Sequence, residues 1–507
     1  MRGAGQQRRF AGTQGLGSRQ SLVYLRRMHN KAPQNSATRK ILSNPARQAF
    51  APQTPGPKAT PAAPAAPVES TSPAKPRGKD SVQSKPPKRK SVQPVQNSGQ
   101  RGPDVADVLI LGAGAAGLMC AREAASKGLS VVLLERGPVP GRKLAVSGGG
   151  KANFTNRAAS PKDYRCDGSR GNAFCAPALK GFTPEHMLRL VQEWNLPFEE
   201  RTHGQLFLTV SAHRLVRALT DDCRKHGCVI ACGTTVTAVE ALADGFSVQS
   251  EGGSWHGKAL VLALGSPAWP QAGGGGAGYR LAEELGHNII APRAVLAPLR
   301  LNSDSPLLDL TGISLPVGVT LGQHCWEDDL LFTHEGLSGP AALKASLYWA
   351  EGAAITLNFL PEQDVAALMD APQAGKQTPR ALLARLLPQR LVDTLLPEET
   401  ARRKVAELSR TARVAIVEAV QRHAVTPQAT AGLKKAEACS GGVNTDEVDP
   451  KTMRSLLQNN LFVVGELLDV TGLLGGYNLH WAWASGMAAA RELARSATAR
   501  AAAPATD

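Results

Sequence analysis

The chain has 507 residues, with 58 Lys and Arg against 42 Asp and Glu, a formal net charge of +16, and 42% hydrophobic residues. It is too long for a single hydrophobic core and too apolar to be disordered throughout, and no run reaches the roughly 20 apolar residues of a membrane-spanning helix. The charge is lopsided, because residues 1–103 hold 19 Lys and Arg and only two acids, Glu69 and Asp80, which leaves the rest of the chain almost neutral.

Residues 1–103 are rich in Pro, Ala, Ser and Gln and nearly free of aromatic residues. Such a segment buries too little surface to offset its ordering entropy, so a disordered basic tail is expected. Arg8, Arg9, Arg26 and Arg27 among Ser and Gln, with no acid before Glu69, have the composition of a mitochondrial or plastid transit peptide. The run Lys85-Pro86-Pro87-Lys88-Arg89-Lys90 equally suits a nuclear-localisation or phosphate-binding patch. The plain alternative is a solvated tail on a cytoplasmic protein, and nucleic acid is not expected as a partner except through this tail.

After the tail, an apolar run, Val108 to Leu111, leads into Gly112, Gly114 and Gly117 in a G-x-G-x-x-G pattern, then a helical segment, then a second apolar run ending at Glu135. That order suits a dinucleotide site. Gly112 permits a sharp turn, Gly114 lets the amides around Ala113, Ala115 and Ala116 approach a pyrophosphate, and Gly117 permits close helix–strand packing. Glu135, with Arg136 beside it, lies at the distance expected of an acid that grips a ribose hydroxyl.

A second glycine-rich, cationic segment follows, Gly141-Arg142-Lys143 and then Ser147-Gly148-Gly149-Gly150-Lys151-Ala152-Asn153-Phe154-Thr155-Asn156. Here the backbone can lie against a flat ligand while Arg142 or Lys143 offsets phosphate charge. At these residues the chain resembles the YhiN-like, or BaiN/RdsA-type, family of FAD-dependent oxidoreductases, whose pattern is close to GRK followed by SGGGRCNxTN. The resemblance implies FAD in the first site. The chain departs from the pattern at Lys151 and Ala152, so no thiol can act there.

The resemblance continues through Val261-Leu262-Ala263-Leu264-Gly265, through Gly273 to Gly278 and Tyr279, and through Leu330 to Pro340, where Ser338 and Pro340 are expected to cap and open a helix. It resumes at Gly441-Gly442, at the strand Leu461 to Val464 with Gly465-Glu466-Leu467-Leu468-Asp469, and at Gly475-Gly476-Tyr477-Asn478-Leu479-His480 before an Ala-rich helix. The amides of Gly475, Gly476 and Tyr477 at that helix start would stabilise the anion of a reduced flavin, and Glu466 or Asp469 would accept from ribityl hydroxyls. Trp481 and Trp483 are expected to pack rather than stack on a cofactor.

The expected fold is α/β: a Rossmann-like, doubly wound FAD-binding domain in two parts, 104–292 and 441–497, with an inserted β-barrel-plus-helical domain at 293–440 and a disordered end at 498–507. Within it, Thr183-Pro184 opens a helix, β runs lie at Leu296 to Leu301, Leu315 to Leu321 and Ile355 to Leu360, and helices fill Gln363 to His423. The cofactor-binding residues are expected to be Gly112, Ala113, Gly114, Ala115, Ala116, Gly117, Glu135, Arg136, Arg142, Lys143, Ser147, Gly148, Gly149, Asn153, Ala263, Gly265, Gly465, Glu466, Asp469, Gly475, Gly476, Tyr477 and Asn478.

Eight cysteines form no C-x-x-C pair, which excludes a disulfide-reductase dithiol and suits a reducing compartment. Cys223, Cys228 and Cys232 lack the spacing and partners of a metal site, and no metal is expected. Cys439 is the thiol nearest the expected flavin, with packing as its plainer role. His334, Tyr477 and His480 are the candidate proton donors, while His203 and His287 read as structural. Three functions are open: an NADH- or NADPH-driven FAD oxidoreductase acting on a small organic substrate such as an enone, an RNA-directed flavoprotein, or a flavin-binding redox sensor without turnover.

Overall fold

The computed structural model describes residues 104–502. The expectations for residues 1–103, and for the last five residues, lie outside the described residues.

The apolar run predicted as the first strand forms β1 (Ala106–Leu111), almost wholly buried as a central parallel strand must be. The glycine turn leads into α1 (Ala115–Ser126), and the second apolar run is β2 (Val131–Glu135). The sheet runs from the strand Val229–Cys232 through β2 and β1 to the ten-residue strand Gly253–Leu262, all parallel. That long strand changes partner along its length. Its start pairs antiparallel with Gly245–Ser250, and its end pairs parallel with Leu461–Val463, which returns the C-terminal part of the chain to the first sheet.

Glycine permits the close approaches that hold this layer together. A β-carbon on Gly117 would lie 2.0 Å from the carbonyl oxygen of Gly112, and one on Gly486, in the terminal helix Tyr477–Ala502, would lie 2.6 Å from that of Ala116. The terminal helix therefore packs directly on α1. It continues through 498–502, part of the segment expected to be disordered, because its Ala-rich sequence keeps high helix propensity past the last buried turn.

A second core lies between Leu299 and Val425. Its seven-stranded sheet includes Ser314–Leu321, His324–Thr333 and Ile355–Asn358, with His423–Val425 at one edge and Ala429–Thr430 at the other. Only the segment 426–428 joins the two edges, so they lie within about 14 Å of each other. The sheet is thus rolled as a barrel must be, yet no hydrogen-bonded pairing closes it among the described strands. The expected strand Leu296 to Leu301 is interrupted, since Leu296 adopts φ 49° between Ile289–Val295 and Leu299–Arg300.

Five short helices between Val365 and Gln421 cover this sheet, and the side chain of Thr378 caps one of them by accepting from Ala381 N. Ser338 sits at the N-cap of Gly339–Tyr348, but its side chain makes no capping hydrogen bond. The two cores are joined by a two-stranded ribbon, Ile289–Val295 against Ala438–Val443. No helix among the described residues is long and apolar enough to cross a membrane.

Candidate functional site

A cleft of about 830 Å³ opens at the C-terminal ends of the parallel strands, with the second core as its opposite wall. This is where open α/β sheets bind ligands, and the volume suits a large one.

At one end the turn after β1 is bare backbone. Gly112 has φ 102°, and a β-carbon there would lie 2.5 Å from Ala263 O. Gly114 faces open space, and α1 begins without a side-chain cap, so its first amides and positive dipole end are presented to the cleft. Glu135 Oε2 accepts from Ala113 N at 2.8 Å and Oε1 from Gly137 N at 2.6 Å. The acid thereby fixes the glycine turn and keeps acceptor capacity for a hydroxyl. Arg136 and Arg142 lie on the rim and donate to the carbonyls of Gly273 and Gln271.

Midway, α2 (Arg142–Gly150) is broken at Ser147, whose backbone is extended, and Gly148, Gly149 and Gly150 follow at φ 54°, 65° and 81°. No atom would lie within 4 Å of a β-carbon on Gly149 or Gly150. Lys143 Nζ pairs with Glu466 Oε2 at 2.6 Å, tying α2 to the Gly465 turn across the cleft.

At the far end Gly475 and Gly476 take φ 115° and 97° just before the terminal helix. A β-carbon on Gly476 would lie 2.5 Å from Thr155 O, in β3 (Asn153–Asn156). Asn156 Nδ2 donates to Gly475 O at 2.9 Å and to His203 O at 3.1 Å, joining this turn to the loop Arg201 to Gln205. The side-chain amides of Asn153 and Gln205 meet at 3.1 Å. Across from them, the second core and the ribbon contribute Leu296, Asp328, Asp329, Lys344 and Glu437. Lys344 Nζ pairs with Asp328 Oδ2 at 2.6 Å. Surrounding protein pushes the Glu437 carboxyl above the usual carboxylate range although it faces the cleft.

A dinucleotide fits this lining: an uncapped helix start beside an open glycine for a diphosphate, a carboxylate at the end of β2, and an open left-handed glycine run for a flat ring. Most residues expected to bind cofactor lie on the wall, with three exceptions. Gly117 faces Gly112 and serves packing. Asp469 is buried, and its carboxylate accepts from Asp167 N at 2.6 Å and Gly441 N at 3.0 Å, which consumes it structurally. Tyr477 turns inward to pack edge-on against Tyr164.

The other expected proton donors also fall outside the lining. His334 is on a surface turn with 80% of its side chain exposed, against Glu335. His480 is fully buried, Nδ1 meets Thr155 Oγ1 at 2.9 Å, and burial lowers its pKa to about 4. Cys439 is buried and off the wall, with burial pushing its thiol up to about 12. His287 is a packed residue between Glu447 and Ser455, and the indoles of Trp481 and Trp483 donate to backbone carbonyls. His203, expected to be structural, lines the cleft at φ 59°.

Arg201, Gln205, Asp328, Lys344 and Glu437 were missed by sequence reasoning. None stands in a recognisable motif; the only signals are the polar residues flanking Gly204 in His203-Gly204-Gln205 and the acid run Glu327-Asp328-Asp329 ahead of the apolar Leu330-Leu331-Phe332.

The model for the HI0933-like protein Rossmann domain matches residues 106–492. The chain is 37% identical over 396 residues to the ribosomal RNA dihydrouridine synthase of Haemophilus influenzae, covering 76% of this chain and 98% of that protein. It is 36% identical over 399 residues to the Escherichia coli protein of the same name, with the same coverage of each chain. To the 3-dehydro-bile acid delta(4,6)-reductase of Clostridium scindens it is 29% identical over 406 residues, again covering 76% and 98%.

Proposed function

Because the chain belongs to the HI0933-like family, the FAD-dependent oxidoreductases its sequence resembles, we propose that it reduces the uracil ring of uridines in ribosomal RNA, with NADH or NADPH as electron donor. The observation that carries this reading is the similarity to two proteins named ribosomal RNA dihydrouridine synthase over nearly their whole length. It corrects the sequence-based expectation that nucleic acid is no partner of the body of the chain.

The uracil C5=C6 bond is conjugated to a carbonyl, as in an enone, so its reduction needs a hydride at the β-carbon and a proton at the α-carbon. Bound FAD supplies the hydride chemistry between donor and substrate. The chain's own groups do the rest. The α1 amides, Gly114 and the Lys143–Glu466 pair would hold the cofactor, and the left-handed glycines of α2 would leave room for its ring. The Lys344–Asp328 pair faces that site from the other side and, with Arg201 and Gln205 beside the Gly475 turn, orients the base. Glu437, whose carboxyl is held above the usual carboxylate range by desolvation, serves in this reading as the proton donor.

The protonated carboxyl is the competent form, so product formation falls as pH rises through the raised pKa of Glu437, and Glu437→Gln removes that alkaline limb.

The test is incubation of the full chain with unmodified ribosomal RNA and NADPH or NADH, followed by digestion to nucleosides and mass analysis. Dihydrouridine that requires both RNA and donor supports the reading, and its absence with both donors refutes it. The relative acting on a bile acid favours a second reading, reduction of a small conjugated ketone. A steroid dienone in place of RNA tests it.

A further inference from the structure

A second groove, of about 520 Å³, runs outside the cofactor cleft along the helix Ala212–Lys225. The inner face of that helix is committed to the core through Leu215, Leu219 and Cys223, whereas His213, Arg217 and Arg224 face the groove. Arg224 has an acid beside it, Asp221, at 3.6 Å, but Arg217 pairs with no acid among the described residues. The opposite lip carries the exposed side chains of Val139 and Val146, and Arg142 and Ala272 line both groove and cleft.

Trp269 lines the groove, half-buried. It holds φ 54° and ψ 62°, a left-handed conformation that a bulky residue disfavours, and it precedes Pro270, whose ring disfavours helical conformations in its neighbour. Its amide is fixed to Leu433 O at 3.0 Å. A half-buried indole beside guanidinium charge is the combination of groups that single-stranded nucleic-acid grooves use.

We propose that this groove binds a single-stranded segment of the RNA substrate, with a base stacked on Trp269 and backbone phosphates on Arg217 and Arg224; the proposal rests on RNA being the substrate. Three arginines and an aromatic residue against one paired acid complement a nucleic-acid strand. A nicotinamide dinucleotide fits less well, since the groove meets the cleft at Arg142, beside Glu135, and not at the Gly476 end where the ring would have to arrive.

The test uses the full chain and a single-stranded oligoribonucleotide of ribosomal sequence carrying 4-thiouridine. Irradiation is followed by mapping of the adducts by mass spectrometry, so that contacts made by residues 1–103 are read separately. Arg217→Glu removes a phosphate contact, and Trp269→Asn removes the ring while tolerating the left-handed backbone. The expected result is adducts at Trp269 or within 139–146. Each variant should raise the KM for RNA roughly tenfold, within the range of one lost base stack, with unchanged flavin content and unchanged bleaching by NADPH. Adducts confined elsewhere in 104–502, an unchanged KM in both variants, or slower NADPH bleaching with RNA affinity intact would each overturn the proposal. Groove adducts without any dihydrouridine would instead remove the reading of the substrate, while dihydrouridine formed with an unchanged KM in both variants would remove the groove alone.

Discussion

The two walls of the cleft use different materials. On the Rossmann side the ligand-facing surface is mostly backbone, with Gly114 and Gly149 opening space, Gly112 and Gly476 allowing tight backbone turns, and amides at the start of α1 supplying polarity. On the opposite side it is side chain: Asp328, Asp329, Lys344 and Glu437. A diphosphate and a flat ring ask for close approach and amide donors, which glycine turns provide, whereas a substrate is recognised by functional groups that must be placed one at a time. Damage to the first wall should therefore remove the cofactor, and damage to the second should spare it.

The largest effect is expected at Gly117, where any β-carbon meets the Gly112 carbonyl. Gly117→Val should abolish bound flavin and lower stability by about 1–3 kcal/mol or more, read from the visible absorbance of the purified protein and from thermal unfolding. Lys143→Met, which leaves Glu466 without its partner, should weaken flavin binding by roughly 10- to 100-fold, measured by titrating the apoprotein with FAD.

On the other wall, the joint change Lys344→Gln with Asp328→Asn keeps a hydrogen bond while removing both charges. It should leave flavin content unchanged and raise the KM for RNA by roughly 3- to 10-fold. Loss of flavin in that variant would break the distinction between the walls.

The smallest effect belongs to His480, which touches neither wall. Its folded pKa, near 4, lies below the ordinary value of 6.5, so the fold binds fewer protons than the unfolded chain between these values. The stability it contributes is complete above about pH 6.5 and is lost as pH falls toward 4. Thermal unfolding over this range should flatten in His480→Phe while NADPH bleaching persists.

The same division explains what could be read from sequence. The glycine triad with Glu135 and the run after Ser147 were legible because backbone demands impose glycine at fixed spacing. The Lys143–Glu466 contact was only half legible: each residue stood in a motif, but the pairing depends on the C-terminal strand returning to the first sheet. Asp469 was misread for a related reason. Its position after the Gly465 turn suggests a ligand acid, yet the loop at Asp167 reaches it first. Glu437 and Lys344 carry no local pattern, and only the ribbon joining the two cores brings them over the cleft.

Anaerobic double mixing of the full chain tests whether the two walls serve one reaction. NADPH or NADH is added first while the visible flavin band is followed, and unmodified ribosomal RNA is added after it has bleached. The expected result is rapid bleaching and then recovery of the band only on addition of RNA, with dihydrouridine formed in step. A band that neither donor bleaches, or one that bleaches and does not recover with RNA, would contradict the account.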